Sequence, residues 1–443
     1  IKFVDHHYSH QLYSLSTSNF DNALCISIDG FGDFKSTTIS IFQDGKFKNI
    51  ENTYFPHSLG IFYQAFCQLI GFFDHGEEYK MMGMSAFGKN YIPEINDVIK
   101  IKGNLFELEL KYFNHHKEDT MSLLENGKVS YKKLYSNILY ETFKNYSRED
   151  IAFSVQQKYE EILFNIINKF SQNNLQNLCL SGGCALNSLA NGKIYQNTNI
   201  KSLHTHSCPY DAGGAVGAAL SYINKSFKTN FDISPYLGTS FSDEEIESYL
   251  NEFKDIKVKK FNNSNLLIRE AAMSLSKGKV IGWFQGKMEW GARALGNRSI
   301  LANPIFKDIK DIVNRKIKKR ENFRPFAPSI LERYAEKYFH YYEKDPYMSR
   351  VYKFRSEVIE NIPSVVHVDK TGRLQTINKK LNKKFNDLIE EFFQITNIPI
   401  LLNTSFNENE PIVNLPSEAI SCFLRNDLDE LYISNFKIIK NKN

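Results

Sequence analysis

Asp5-His6-His7-Tyr8-Ser9-His10 places two histidines four residues apart. On a helix His6 and His10 share one face and can hold one metal ion. A divalent ion needs at least one more ligand. Asp29, at the end of the next apolar strand, and Asp211, in Tyr210-Asp211-Ala212-Gly213-Gly214, are the candidate carboxylates. Imidazole with carboxylate suits iron, zinc or manganese. The plainer alternative is a helix N-terminus carrying surface histidines.

Three glycine-rich turns could approach phosphate. Asp29-Gly30-Phe31-Gly32-Asp33 follows a strand, and such a turn exposes backbone N–H groups. Ser181-Gly182-Gly183-Cys184-Ala185-Leu186-Asn187 joins a buried strand to a helix whose N-terminus favours an anion. Asp211 to Ala219 is a Gly-rich turn opening a small-residue helix. Each alone reads as well as an ordinary tight turn. Together their layout resembles the ATP cleft shared by actin, sugar kinases and heat-shock ATPases.

Cationic residues gather further on. Arg293 and Arg298 lie in Gly291-Ala292-Arg293-Ala294-Leu295-Gly296-Asn297-Arg298-Ser299. Lys318, Arg320 and Arg324 lie in Lys318-Lys319-Arg320-Glu321-Asn322-Phe323-Arg324-Pro325-Phe326. A guanidinium fork fits phosphate or carboxylate. A solvated basic face is the competing reading, but the interleaved Phe, Pro and Gly favour an anion site. His367 and Arg373, in His367-Val368-Asp369-Lys370-Thr371-Gly372-Arg373, and Asn403 and Ser405, after an apolar strand, could line the same pocket or make local loop contacts.

These residues need elements to hold them. Strands are expected at 23–28 and 37–42, with Asp44-Gly45 turning after the second. Helical patterns cover 58–73 and 154–172, and 100–135 reads as irregular and polar. A short strand at 178–180 leads into a helix from Ala185. A polar stretch at 226–235 marks a boundary. Beyond it come helices at 242–253 and 266–277 and a strand at 280–284. The alternation predicts an α/β chain in two domains, 1–230 and 231–443.

Composition narrows the class. The chain has 443 residues, enough for two or three domains. It is 42% hydrophobic and 24% charged, which excludes a disordered or fibrous chain. A formal charge of +5 does not call for a nucleic-acid or membrane partner. Six cysteines without a CxxC pair argue against a disulfide framework or zinc ribbon and fit a reducing cytoplasm. No apolar run reaches a membrane span. No signal peptide is expected, so the expected location is cytoplasmic. The chain begins with Ile in what reads as a strand, so upstream material is expected to be missing.

Several motifs come in a recognisable order. They are His6-His7-x-x-His10, Ser58-Leu59-Gly60, Glu78-Tyr79-Lys80-x-Met82-Gly83-Met84, the Ser181–Asn187 loop, the Gly291–Ser299 loop, Phe323-Arg324-Pro325-Phe326-Ala327-Pro328 and Asn403-Thr404-Ser405-Phe406-Asn407. Together they resemble the NodU/CmcH family of O-carbamoyltransferases from the first residues to about Leu428. The resemblance implies a TsaD-like domain of the actin-type ATPase fold, followed by a YrdC-like twisted α/β domain. It implies that the second domain converts carbamoyl phosphate and ATP, with Mg2+, into carbamoyl-adenylate. The first domain would transfer the carbamoyl group to an acceptor hydroxyl. By the same resemblance His6, His10, Asp29 and Asp211 hold Fe(II) or another divalent metal, and His6, His10 and Asp29 serve transfer. Gly30, Gly182, Gly183, Asn187 and Gly213 contact nucleotide. Lys318, Arg320 and Arg324 bind carbamoyl phosphate and ATP phosphates, with Arg293, Arg298, His367, Arg373, Asn403 and Ser405 around them.

Two polyanions must meet to form that mixed anhydride, which accounts for a dense Lys/Arg cluster. Transfer to an alcohol needs a polarised carbonyl and a base for the hydroxyl proton. His6 or His10 is a candidate base, with His7 as the spare histidine. Acceptors compatible with the family are sugars, natural-product scaffolds and hydroxymethylated DNA bases. A homodimer is left open. Tyr112, Phe113, His115, His116 and Lys117 could contact the acceptor or form a plain surface insertion. The family carries a stretch before the His motif that this chain lacks, which leaves the transfer half more open than the adenylation half. Ala292 and Cys184 replace the usual Pro and Val. The alternatives are a threonylcarbamoyl-type tRNA modification enzyme, a hydrogenase-maturation relative, which the absent CxxC pairs oppose, and a nucleotide-binding module without turnover.

Overall fold

The apolar run from Ala23 to Ile28 is buried on both faces, as a strand with neighbours on each side must be. It begins β1 (Ala23–Gly32) in a computed structural model that describes residues 1–117, 121–123, 129–171, 175–223, 231, 233–408 and 410–441. Two compact units are present, Ile1–Ile233 and Ser234–Asn443. Most of the polar boundary stretch at 226–235 lies outside the described residues.

In the first unit β1 pairs antiparallel with β2 (Lys35–Gln43), which pairs with β3 (Lys46–Tyr54). On its other side β1 runs parallel to β4 (Asn177–Ser181), which is parallel to β5 (Ser202–His204). The order is β3-β2-β1-β4-β5. Asp44 and Gly45 both have positive φ, 52° and 71°, and form the two-residue hairpin that the Asp-Gly pair predicts. The strand after that turn, β3, was not anticipated. It is largely exposed, so the sequence lacks the apolar signal of a buried strand.

Four helices frame this sheet's site. Asp5 caps α1 (His6–Ser16), its carboxylate accepting from the Tyr8 N–H at 2.9 Å. Its other oxygen takes Lys35 Nζ at 2.6 Å. Ser58 caps α2 (Leu59–Leu69). Ser147 caps α3 (Arg148–Phe170), which starts six residues before the expected Ser154, with Glu149 and Asp150 in its first turn. Gln172, the expected end of that helix, lies outside the described residues. The fourth, α4 (Asp211–Ile223), begins at the candidate ligand Asp211 itself. The expected helix from Ala185 is instead a 3-10 turn (Gly183–Leu186) followed by a helix (Ser188–Asn197). The stretch read as irregular holds antiparallel pairs, Ile99–Lys102 with Leu105–Leu108 and Met121–Leu123 with Val129–Tyr131; 118–120 and 124–128 lie outside the described residues.

The second unit is built on one mixed sheet of eight strands. They are β6 (Ile256–Lys260), β7 (Ile281–Phe284), β8 (Arg298–Ala302), β9 (Ala327–Leu331), β10 (Gln375–Ile377), β11 (Ile400–Ser405), β12 (Glu430–Ile433) and β13 (Phe436–Lys440). Their order is β6-β13-β12-β7-β8-β11-β9-β10. Helices Ser264–Ser276 and Lys383–Thr396 bury Leu267, Leu275, Phe385 and Phe392 around Trp283 on one face. A larger core around Phe284, Ile300, Leu402 and Phe423 fills the other. Both units are mixed α/β, as the alternating pattern predicts.

Helices α1 and α4 approach to backbone contact. A Cβ on Gly217 would stand 1.8 Å from the Ser9 carbonyl oxygen, and one on Gly213 2.0 Å from the Cys208 carbonyl oxygen and 2.6 Å from the Tyr13 ring. Neither backbone can yield locally, so Gly217→Ala is expected to cost about 1–3 kcal/mol, the range for overpacked interiors. Urea unfolding monitored by circular dichroism measures it; unchanged stability would contradict this packing.

Candidate metal centre

His6 and His10 lie one turn apart on α1 and point to the same place. Their Nε2 atoms are 3.0 Å apart. Asp29 arrives from the end of β1, its Oδ2 3.4 Å from His6 Nε2 and 3.1 Å from His10 Nε2. Asp211 arrives from the first turn of α4, with Oδ1 at 3.8 and 3.4 Å from the same atoms. All four ligand atoms fall within 4.8 Å of one another. Ligands bound at about 2.1 Å to one ion stand roughly 3.0–3.4 Å apart in octahedral or tetrahedral geometry, so most of these separations already suit a shared ion. Two imidazole nitrogens and two carboxylate oxygens form a donor set for a divalent first-row metal, and the four residues fit the expected ion.

The electrostatics agree. Burial alone would push His10 down, but hydrogen bonds and charge from Asp211 and Asp29 outweigh it and carry the imidazole up to about 9. Burial would raise Asp29, yet His10, His6 and the Gly30 N–H hold it far below the usual carboxylate range. Asp211 is lowered chiefly by its hydrogen bond with His10. Two carboxylates and two imidazoles drawn together this closely attract positive charge, which a cation supplies.

His7 and His10 are fully buried, so the alternative of surface histidines does not hold. His7 has its own structural work. Its Nδ1 accepts from the Ser27 hydroxyl at 3.0 Å and its Nε2–H donates to the Lys35 carbonyl at 3.1 Å. Burial pushes it down to about 4, so it stays neutral. With both nitrogens occupied it is not a spare base.

The glycine turns divide into two groups. Gly30 donates its N–H to Asp29 Oδ1 at 2.8 Å, and a Cβ on Gly183 would reach that same oxygen at 3.0 Å. Gly182, at φ +84°, lies against the Ile28 carbonyl and donates to the Pro209 carbonyl. The Ser-Gly-Gly loop and the Asp29 turn therefore meet. Gly213 instead sits in the α1–α4 contact described above, a packing role. Asn187 is also occupied: it caps the helix Ser188–Asn197 and exchanges two hydrogen bonds with the buried Gln156 amide. Its side chain shapes the loop.

In the second unit the expected anion residues separate by burial. Arg298 is fully buried and stacks 3.6 Å from the Phe284 ring centroid. Its guanidinium donates to the carbonyls of Gln285, Gly286, Asn297 and Thr239. Both of its terminal nitrogens are spent on these carbonyls, which gives it a bracing role in place of the expected phosphate contact. Asn403 is likewise buried, its amide nitrogen donating to Ala294, Ser329 and Gln375, which ties neighbouring strands together. Lys318 is buried in a cage of oxygens. Its Nζ donates to the Ser405 carbonyl at 2.6 Å, the Ser405 hydroxyl at 3.1 Å and both oxygens of Asn407. Burial, then the nearby Arg320 and Arg324 charges, depress it well below the usual lysine range. Arg320 is oriented by Asn314 Oδ1 at 2.8 Å, and Arg324 pairs with Glu321 at 2.6 Å. Arg293 and Arg373 are half-buried, and buried His367 closes the turn before strand Thr371–Arg373. Sequence reasoning missed Asn314 and Asn407. Asn407 had a usable signal: it continues the every-other-residue series Asn403, Ser405. Asn314 had none, because it lies in a π-helical turn (Val313–Ile317).

Residues 1–220 match the family model described as carbamoyltransferase N-terminus, and residues 272–440 the one described as carbamoyltransferase C-terminus. The chain belongs to the carbamoyltransferase family. It is similar to an uncharacterised protein of Synechocystis sp. (strain ATCC 27184 / PCC 6803 / Kazusa), 35% identical over 99% of this chain and 76% of that protein. It is also similar to nodulation protein NolO of Bradyrhizobium diazoefficiens, 34% identical over 99% and 79%, and to nodulation protein NolNO of Sinorhizobium fredii, 33% identical over 99% and 64%. The resemblance read from the ordered motifs is therefore borne out. A solved structure of full-length HypF in a phosphate- and nucleotide-bound form gives a TM-score of 0.28 at 15% identity, covering 42% of this chain and 23% of its own, too slight a likeness to argue from. Among the described residues no helix is long and apolar enough to cross a membrane.

Two outcomes follow for direct measurement. Wild-type protein is expected to bind one Co2+ with visible d–d bands, and His10→Ala to abolish them; bands surviving the substitution would remove His10 from the ligand set. Arg298→Gln is expected to lower unfolding free energy by about 2–4 kcal/mol, because buried carbonyls lose their donors, and equilibrium denaturation reads that loss.

Proposed function

We propose that the chain is an ATP-dependent O-carbamoyltransferase working through carbamoyl-adenylate. The observation that carries this reading is the convergence of His6, His10, Asp29 and Asp211 in a chain matched by both carbamoyltransferase models. Water cleaves carbamoyl phosphate to carbamate and phosphate, and a carbamate oxygen then attacks the α-phosphorus of ATP, expelling pyrophosphate. Arg320 and Arg324, beside caged Lys318, would offset the repulsion between the two anions. Lys318 holds the Ser405–Asn407 turn against this cluster, and Arg293, His367 and Arg373 would complete the pocket. Mg2+ would accompany ATP.

In transfer, an acceptor hydroxyl attacks the carbamoyl carbon and AMP leaves. The meeting of the Ser-Gly-Gly loop with the Asp29 turn supports a nucleotide seat beside the metal ligands, with Gly30, Gly182 and Gly183 allowing backbone approach. An Fe(II) or other divalent ion held by His6, His10, Asp29 and Asp211 would supply Lewis acidity toward the carbonyl. The acceptor we propose is a sugar or similar small polyol. Phe31, two residues beyond Asp29, packs with Phe55 and His115 at ring-centroid distances of 5.3 and 6.0 Å, and Phe55 remains 46% exposed. Aromatic faces of this kind suit the apolar C–H faces of sugar rings. Phe113 is fully buried and supports His115 from below, so it is not itself a contact.

The test is pyrophosphate release from ATP with and without carbamoyl phosphate, in the absence of acceptor. Release is expected to depend on carbamoyl phosphate, to survive His10→Ala, and to fall at least tenfold in Arg324→Ala. Dependence lost altogether in folded, metal-supplied protein would leave a nucleotide-binding module; an unchanged Arg324→Ala rate would overturn the anion pocket.

A further inference from the structure

Helix α1 carries its two metal-facing histidines in its first two turns and two further side-chain anchors in its last two. Tyr13, three residues after His10, is fully buried, and its hydroxyl lies 2.5 Å from His206 Nδ1. His206 Nε2 lies 3.0 Å from the Ile233 carbonyl, which can only accept. The proton is therefore on Nε2, and Nδ1 accepts from Tyr13. The Ser207 hydroxyl reaches the same Nδ1 at 3.1 Å. Burial pushes His206 down to about 4, which keeps the ring neutral and this tautomer in place. One turn on, Thr17 Oγ1 meets His204 Nε2 at 2.9 Å.

His204 and His206 stand directly before the turn that delivers Asp211. The Tyr13 ring lies over Gly213, two residues past Asp211, where any Cβ would strike it. So the segment that supplies one metal ligand is gripped by the helix that supplies two others. Ile233, which holds His206 from the far side, is the last residue of the first unit. Phe231, two residues earlier, donates its N–H to the Ser16 carbonyl at the end of α1.

We propose that Tyr13 and His206 are positioning residues of the metal centre, setting the depth and rotation of α1 that bring His6 and His10 to Asp211. The inference rests on the metal reading above. Neither residue reaches the four ligand atoms; they act through the helix and through the 206–211 turn. Groups hydrogen-bonded directly to a metal ligand typically change its affinity by about 10–100-fold when removed, and the lower end of that range suits groups one contact further out.

The test uses the full chain with Co2+ as the probe. Wild type, Tyr13→Phe and His206→Asn are titrated by d–d absorption, and the metal-free proteins are unfolded in urea. Tyr13→Phe is expected to weaken Co2+ binding about tenfold and to shift the band positions, because the coordination geometry changes. A purely structural hydrogen bond would lower stability and leave the bands alone. Unchanged affinity and bands in both variants would overturn the proposal, whatever happens to stability. Should Tyr13→Phe not fold, His206→Asn carries the same test. If wild type binds no stoichiometric Co2+, or binding survives His10→Ala, the metal reading itself fails and takes this inference with it. Loss confined to the Tyr13 and His206 variants cannot be confused with that result.

Discussion

The contact between α1 and α4 governs everything that follows at the metal site. A helix carrying His6 and His10 and a helix starting at Asp211 can share an ion only if their backbones nearly touch. Glycines at 213 and 217 make that possible, since the Cys208 and Ser9 carbonyls occupy the space where side chains would stand. Close approach then fixes His10 Nε2 at 3.4 Å from Asp211 Oδ1. Asp29 completes the set because β1 ends beneath the same helix. The Ser-Gly-Gly loop closes on Asp29 from the other side, so ligand and candidate phosphate loop share a carboxylate's surroundings.

A different constraint organises the second unit, the cost of burying cations. Arg298 and Lys318 are both deep in the protein, and among the described residues neither has an ion pair to its charged end. Each is held by neutral oxygens: four carbonyls at the terminal nitrogens of Arg298, and the Ser405 and Asn407 oxygens around Lys318. Such a cation is costly to leave unbonded and is fixed in place once bonded. Arg298 therefore braces the loop that Glu289 also ties through the backbone N–H groups of Leu295, Asn297 and Arg298. Lys318 braces the turn after β11. Arg320 and Arg324 lie less deeply, Arg320 oriented by Asn314 and Arg324 paired with Glu321.

Much of this was legible in the chain itself. The i, i+4 spacing of His6 and His10 needs only a helix, and Asp5 as a capping residue announces one. The Asp44-Gly45 turn follows from the backbone freedom of that pair. The motifs that mark the family sit in their expected order. Less legible were β3, whose exposure removes the apolar signal, and the first turn of α3, where Arg148, Glu149 and Asp150 are polar. The basic cluster looked uniform along the chain, yet Arg298 is fully buried against carbonyls while Arg324 is half-buried beside Glu321. Side-chain type and spacing do not encode burial, and burial decides whether a guanidinium spends its donors on the protein.

Local rules thus determined most of the buried helices and strands, which residues could bind metal, and which family the motifs belong to. These depend on neighbours within a turn or a hairpin. The tertiary structure decided what depends on distant segments meeting. It joined residues 6, 10, 29 and 211 into one donor set, occupied both nitrogens of His7, and turned Gly213 from a phosphate contact into a packing surface. It also set Tyr13 against His206, a pair separated by 193 positions. No local pattern can announce such a pair, because the hydrogen bond exists only once helix and turn have packed.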